Sequence, residues 1–306
     1  MSQEYSKDII CNQMSSMRSF LIVLLLELFH LLAFSLVSRA NHSLRIENGS
    51  MATEGQFPYT VLILYWNFDN RCTGTLLTTH HIITAAHCPF IPGGPLVQFV
   101  MAGDIHKSEY QSNKQQIRIF KRYALHPNYP SARGWMKIQY DIGIILLDIP
   151  FILTDHLKPI KFAKEPIPVG TLCVLPGWGF TRYLKVCEQN DILRYHPERI
   201  YPKKVCNIKE YTLMCGGKNF GCPGDCGGSV ICNNTAQGIY TFAVQINGSL
   251  RSLYTDIAPH YSWIRSVIKK KFMKYYIAGK QYSTAVKIFP IFYHFSFYNA
   301  FKKMLI

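Results

Sequence analysis

From Tyr59 to about residue 258, short runs rich in Val, Ile, Tyr, Phe and Thr alternate with turns of Gly, Pro and Asn. Tyr59 to Tyr65, Gln116 to Arg122 and Gly238 to Ile246 are examples. β-branched and aromatic residues suit a pleated, half-buried surface, and many short strands at such spacing pack as antiparallel sandwiches or barrels. The pattern ends at Pro259 to Ile268, which reads as a helix with Trp263, Ile264, Val267 and Ile268 on one face.

A chain of 306 residues can bury a substantial core, with a loose prior of about two domains. Hydrophobic residues at 48% against 17% charged exclude a disordered chain. Of the net charge of +15, residues 269–306 carry +8 and residues 1–45 carry +1, which leaves +6 for residues 46–268. A basic surface of that size suits anionic glycans, membranes or acidic proteins. No recognition motif for nucleic acid accompanies it, so nucleic acid is not an expected partner.

Phe20 to Val37 is almost wholly apolar, with Arg18 before it and Ser38-Arg39-Ala40 after it. Small residues then stand at both determinants of a signal-peptidase site after Ala40. The rival is a membrane anchor, because the run approaches the ~18 apolar residues of a span. Glu27 and His30 inside it weigh for the signal. Residues 1–40 are therefore expected to be a signal peptide with an N-terminal extension, Met17 offering a more ordinary start, and the mature chain to be secreted and extracellular.

Cys222-Pro223-Gly224-Asp225-Cys226-Gly227-Gly228-Ser229 is a glycine-rich turn shaped to expose a thiol. Upstream lie Ile83-Thr84-Ala85-Ala86-His87-Cys88 and Tyr140-Asp141-Ile142-Gly143-Ile144-Ile145-Leu146-Leu147. Cys173-Val174-Leu175-Pro176-Gly177-Trp178-Gly179 and the segment Gly238 to Trp263 add two more blocks. Over roughly residues 46–268 this set resembles the trypsin and chymotrypsin family of serine proteases, in the chain order His, Asp, nucleophile. Cys226 stands where the family has serine, and Ser229 where it has proline. The resemblance implies an all-β fold of two packed six-stranded antiparallel β-barrels, the first ending near Pro150, with a C-terminal helix and no cofactor.

By the same resemblance, His87 is the general base, Asp141 the carboxylate that fixes its tautomer, and Cys226 the nucleophile. The N–H groups of Gly224 and Cys226 form the oxyanion hole. Asn41-His42-Ser43-Leu44-Arg45 is a short pro-segment, and cleavage after Arg45 frees an amine on Ile46 that pairs with Asp225. Phe220 takes the position whose aspartate gives tryptic specificity, so a tryptic preference is excluded. Thr241-Phe242-Ala243 and Ser252 narrow the pocket walls. The expected partners are protein or peptide substrates, proteases and protease inhibitors. Metal ligation by Cys226, His87 and Asp141 offers only part of a ligand shell, so no metal is expected.

Removing the leader takes Cys11 and leaves nine cysteines, an odd number. The resemblance pairs Cys72 with Cys88, Cys173 with Cys232, and Cys206 with Cys215. Cys187, Cys222 and Cys226 remain, and two pairings stand: Cys187–Cys222 leaves Cys226 free, whereas Cys187–Cys226 locks the nucleophile away. Sequons occur at Asn41, Asn48, Asn233 and Asn247. Residues 269–306 hold eight lysines and eleven Phe or Tyr residues, read either as a membrane-surface or polyanion contact or as an extension without function. Two functions stand: a weakly active or inactive homologue that acts in extracellular proteolysis by binding, and a non-tryptic endopeptidase working through Cys226.

Overall fold

The computed structural model describes residues 49–64, 70–89, 99–107, 112–130, 139–179, 181–183, 186–188, 191–218, 221, 224–269, 275–277 and 280–282. The leader, the pro-segment with Arg45 and Ile46, Asn41, Asn48, Phe220, Cys222, the side chain of Cys187 and most of the tail lie outside the described residues.

After the short β1 (Ser50–Met51), six strands make the first layer: β2 (Thr60–Leu64), β3 (Asn70–Leu76), β4 (His81–Thr84), β5 (Phe99–Ala102), β6 (Gln116–Leu125) and β7 (Gly143–Leu147). Their order, β2-β3-β4-β7-β6-β5, closes into a barrel. Closure removes the exposed edges that an open sheet presents. All five residues of β2 are buried, as expected of a strand with apolar neighbours on both faces. Val61, Ile63, Ile82, Ile83, Ile144 and Ile145 are each 0% exposed, and each such side chain contributes roughly 1.5–3 kcal/mol relative to an exposed one.

The second layer uses β8 (Lys161–Phe162), β9 (Leu172–Gly177), β12 (Arg194–Arg199), β13 (Leu213–Cys215), β14 (Ser229–Cys232), β15 (Thr235–Ile246) and β16 (Ser249–Asp256), while β10 (Thr181–Tyr183) and β11 (Val186–Glu188) pair only with each other. The main path is β1-β12-β9-β14-β15-β16-β13, with β8 joined in parallel to β15. A single bridge between Tyr201 and Cys215 brings the β12 end round to β13, so this sheet curls without the full ladder that closes the first. The architecture is therefore mostly β, two curled antiparallel sheets followed by the helix Tyr261–Lys269. Trp263, Ile264, Val267 and Ile268 of that helix pack into the common core.

Two details of β15 and β16 position the site. Their turn is Asn247-Gly248, with φ of 47° and 76°, the left-handed pair that matches strand twist in a two-residue hairpin. Their register then slips between Tyr240 and Phe242, so Thr241 is an extra, unopposed residue, and a bulge of this kind re-aims a side chain or a carbonyl. The sequons at Asn233 and Asn247 both fall on exposed turn residues. Beyond the helix, β17 (Tyr275–Ile277) and β18 (Lys280–Tyr282) form an antiparallel pair. Among the described residues no helix is long and apolar enough to cross a membrane.

Candidate active site

Asp141 lies just before β7, and His87 follows the end of β4, so the closed barrel sets their separation. The carboxylate is 2% exposed and holds His87 twice. Oδ1 accepts the His87 backbone N–H at 3.0 Å, and Oδ2 faces Nδ1 at 2.8 Å. With Nδ1–H donated to the carboxylate, Nε2 is the nitrogen left for proton transfer. Burial pulls the His87 pKa down, but the Asp141 charge and hydrogen bond, joined by a hydrogen bond and charge from Cys226, push it up to about 10. A histidine gripped by a carboxylate favours its imidazolium form.

Cys226 sits on the turn between Gly221 and β14, half-buried, and its thiol donates to the Thr241 carbonyl at 3.4 Å. That carbonyl is available because Thr241 is the bulged residue of β15. The turn is fastened on several sides: Gly227 N–H donates to Tyr240 O at 2.8 Å, Gly228 N–H to Asp225 O at 3.0 Å, and Thr73 Oγ1 to Gly224 O at 2.9 Å. Gly227 has φ of 85°, and a Cβ there would collide with Thr84 Oγ1 and the Thr73 carbonyl. Only glycine fits that position.

Asp225 reaches the Gly177-Trp178-Gly179 segment. Its Oδ1 accepts the Gly179 N–H at 2.7 Å, and its carboxylate fills the space that a side chain on Gly177 or Gly179 would need. The Gly-Trp-Gly spacing is thus a socket for this acid. Ile46, its expected partner, lies outside the described residues.

Among the described residues there are three disulfides, Cys72–Cys88, Cys173–Cys232 and Cys206–Cys215. Cys226 is the free cysteine among the described residues. Sγ of Cys72, Sγ of Cys88 and a ring nitrogen of His87 lie within 4.8 Å of one another, but the two sulfurs are bonded to each other and offer no thiolate to a metal.

A profile of the trypsin family matches residues 46–264. The chain belongs to that family. Among curated relatives it is 29% identical over 260 residues to the snake venom serine protease catroxase-1 of Crotalus atrox, covering 81% of this chain and 95% of that protein. It is 27% identical over 238 residues to the serine protease SP24D of Anopheles gambiae, covering 74% of this chain and 82% of that one. Among solved structures, neuropsin, a serine protease expressed in the limbic system of mouse brain, superposes with a TM-score of 0.65 at 23% identity, over 72% of this chain and 99% of that one. That likeness shows the chymotrypsin-like fold.

Around the described residues expected to line a substrate pocket in a trypsin-family chain, the packing is tight. Ser252 and Tyr254 are 0% exposed and Thr241 is 5% exposed. A Cβ on Gly216 would lie 2.8 Å from Ser252 Cβ and 2.7 Å from the Tyr254 ring, and one on Gly217 would lie 2.7 Å from Glu198 Oε1. Phe242 leaves the cleft and packs with Val244 on the cluster of Cys206, Cys215 and Leu253. Ala243, opposite Ser252 in the ladder, is half-buried.

Glu198 is the residue that reading the sequence missed. Its carboxylate is 2% exposed and accepts the N–H of Gly217 at 2.6 Å, the N–H of Arg199 at 2.9 Å and the Tyr254 hydroxyl at 2.7 Å. Burial lifts its pKa above the ordinary range, against the lowering effect of the Tyr254, Gly217, Arg199 and Ser252 hydrogen bonds. Strand alternation was the available signal: Pro197 and Arg199 are exposed while Glu198 and Ile200 are buried.

Proposed function

We propose that this chain is a secreted trypsin-family homologue that acts in extracellular proteolysis mainly by binding, with weak peptide hydrolysis or none. In this reading residues 1–40 are the signal peptide with its extension, 41–45 the pro-segment, 46–268 the peptidase-like domain and 269–306 a basic aromatic tail. Its partners are proteases, inhibitors or protein substrates. The observation that supports the reading is the tight packing beside the expected pocket, with Ser252 and Tyr254 both at 0% exposure and close to Gly216 and Glu198. Binding energy from a substrate side chain is what aligns a scissile bond, and a filled pocket removes it.

The nucleophile supports the same conclusion. Cys226 takes the place of the family's serine, and sulfur is larger than oxygen and forms longer bonds. In a cleft dimensioned for oxygen, misplacement by about an ångström costs ~10²-fold. A misaligned oxyanion at the Gly224 and Cys226 N–H groups costs another ~10²–10³-fold.

A second reading, a non-tryptic endopeptidase using Cys226, is favoured by the Asp141–His87 pair at 2.8 Å and by the thiol's influence on His87. In that reading Cys226 acts as the thiolate partner of the His87 imidazolium and attacks the peptide carbonyl, and His87 gives its proton to the leaving amine. Arg45, Ile46 and Asp225 would supply the activation switch in both readings. The test is titration of Arg45-cleaved protein with a thiol-reactive peptide ketone, followed by turnover of mixed peptide substrates. Binding by proposal predicts no stoichiometric labelling dependent on the peptide portion. Robust turnover abolished by Cys226→Ala would establish the peptidase instead.

A further inference from the structure

Three sulfur atoms and one imidazole meet beside the Cys226 turn, and peptide chemistry would use only one of the sulfurs. The Cys226 carbonyl accepts the Thr73 N–H at 2.9 Å, which sets Cys226 beside Cys72, the residue preceding Thr73. The same carbonyl oxygen lies 3.6 Å from Cys88 Sγ, and Cys88 Sγ lies 3.8 Å from His87 Nε2. A base that serves the thiol therefore also touches the Cys72–Cys88 bridge.

We propose that Cys226 and the Cys72–Cys88 bridge form a thiol–disulfide exchange centre, with His87 carrying the proton. Cys226, as the thiolate beside the imidazolium of His87, attacks Cys72 Sγ. The Cys226–Cys72 bond forms as the Cys72–Cys88 bond breaks, the electron pair leaves on Cys88 Sγ, and His87 gives its proton to that sulfur. One thiol and one disulfide stand on each side, so no oxidant or reductant is consumed.

A disulfide needs Cα atoms usually about 4.4–6.8 Å apart, and the bond from Thr73 N–H to Cys226 O draws the backbone beside Cys72 toward that of Cys226. The departing Cys88 sulfur lies 3.8 Å from Nε2 of the positively charged His87 ring, and a stabilised leaving thiolate leaves faster. In the exchanged isomer Cys226 is locked in a bridge and the free thiol moves to Cys88. The centre rests on this cluster alone and holds whether or not the cleft cleaves peptides.

The test uses the full secreted chain, held at about pH 8, sampled over time, trapped with N-ethylmaleimide after an acid quench and mapped without reduction. The label is expected to appear at Cys88 as well as Cys226 over minutes to hours, together with a peptide joining residues 72 and 226. His87→Gln should slow the approach to that mixture by tenfold or more, and Cys226→Ser should leave Cys72 and Cys88 unlabelled. Label confined to Cys226 at every time overturns the proposal, as does label at Cys88 in Cys226→Ser, or a bridge from Cys226 to Cys187 or Cys222. Should His87→Gln fail to fold, the time course of the unaltered chain decides alone.

Discussion

The two sides of the cleft are built on different terms. On the histidine side, a closed barrel with buried aliphatic side chains on β2, β4 and β7 carries the pair in which Asp141 grips His87 through backbone and ring at 3.0 and 2.8 Å. On the pocket side, a sheet completed by a single bridge carries a buried carboxylate, Glu198, committed to donors from Gly217, Arg199 and Tyr254. The first arrangement leaves Nε2 of the ring outside the grip of the carboxylate, and the second commits its carboxylate to holding neighbouring strands and turns together. The contrast teaches that a buried acid can serve one side of a fold by fixing a ring and the other by satisfying backbone and hydroxyl donors.

The strongest way to break this comparison is to restore each side in turn. Cys226→Ser alone is expected to stay within about tenfold of the unaltered chain on peptide substrates, because a fitted nucleophile gains little when the substrate is not held. Cys226→Ser combined with Phe220→Gly is expected to gain roughly 10³-fold, the scale of recovered oxyanion stabilisation. Steady-state hydrolysis of a peptide mixture by Arg45-cleaved protein measures both. Full recovery by Cys226→Ser alone would mean that the pocket side imposes no obstacle.

The sequence told these two sides apart unequally. His87 and Asp141 sit in contiguous blocks whose strands are short apolar runs, buried almost throughout, so local pattern and tertiary position agree. The helix around Trp263 and Ile264 was legible for the same reason, a single apolar face. Glu198 was not, because its meaning depends on Gly217 and Tyr254, which join it only through the curl of the second sheet. Thr241 was read as part of a pocket wall, but its bulge, which turns its carbonyl toward the thiol, depends on the pairing of β15 with β16. Asp225 was read for its pairing with a new amine, whereas its close fit against Gly177 and Gly179 emerges only in three dimensions.

Removing the Glu198 carboxylate is the next largest change. Glu198→Ala leaves the Gly217 N–H and Tyr254 hydroxyl buried without acceptors, and is expected to cost about 3 kcal/mol. Glu198→Gln keeps one acceptor oxygen but turns an amide N–H₂ toward a donor, so about 1–2 kcal/mol is expected. Urea unfolding at neutral pH reads both. A loss below about 1 kcal/mol for the alanine variant would show that the pocket side does not depend on this carboxylate.

The smallest effect tests how the histidine side is braced from behind. His126 stacks on Tyr140, next to Asp141, at 4.8 Å, and meets His260 at 5.0 Å and Trp263 at 5.1 Å. Burial, then the neighbouring His260, lowers the His126 pKa to about 4. The folded state therefore binds this proton less readily than the unfolded state, whose histidine titrates near ~6.5. Stability from His126 is full above that value and is lost as pH falls from there toward 4. Asp256, whose carbonyl accepts from His260 Nδ1 at 2.7 Å, moves the other way. Its pKa is raised by burial to about 6, so its contribution is full below ~4 and is lost as pH rises through 6. The whole-protein curve therefore mixes two opposed slopes. The difference between the unaltered chain and His126→Phe isolates one, since the ring stack survives and the titration does not. Because His126 is only partly buried, solvent screening reduces the effect. The unaltered chain should lose about 1–2 kcal/mol relative to His126→Phe between pH 6.5 and pH 4, read by urea unfolding at each pH. Parallel curves would mean that the imidazole titrates normally, and that the wall behind Asp141 is as open to solvent as an ordinary surface.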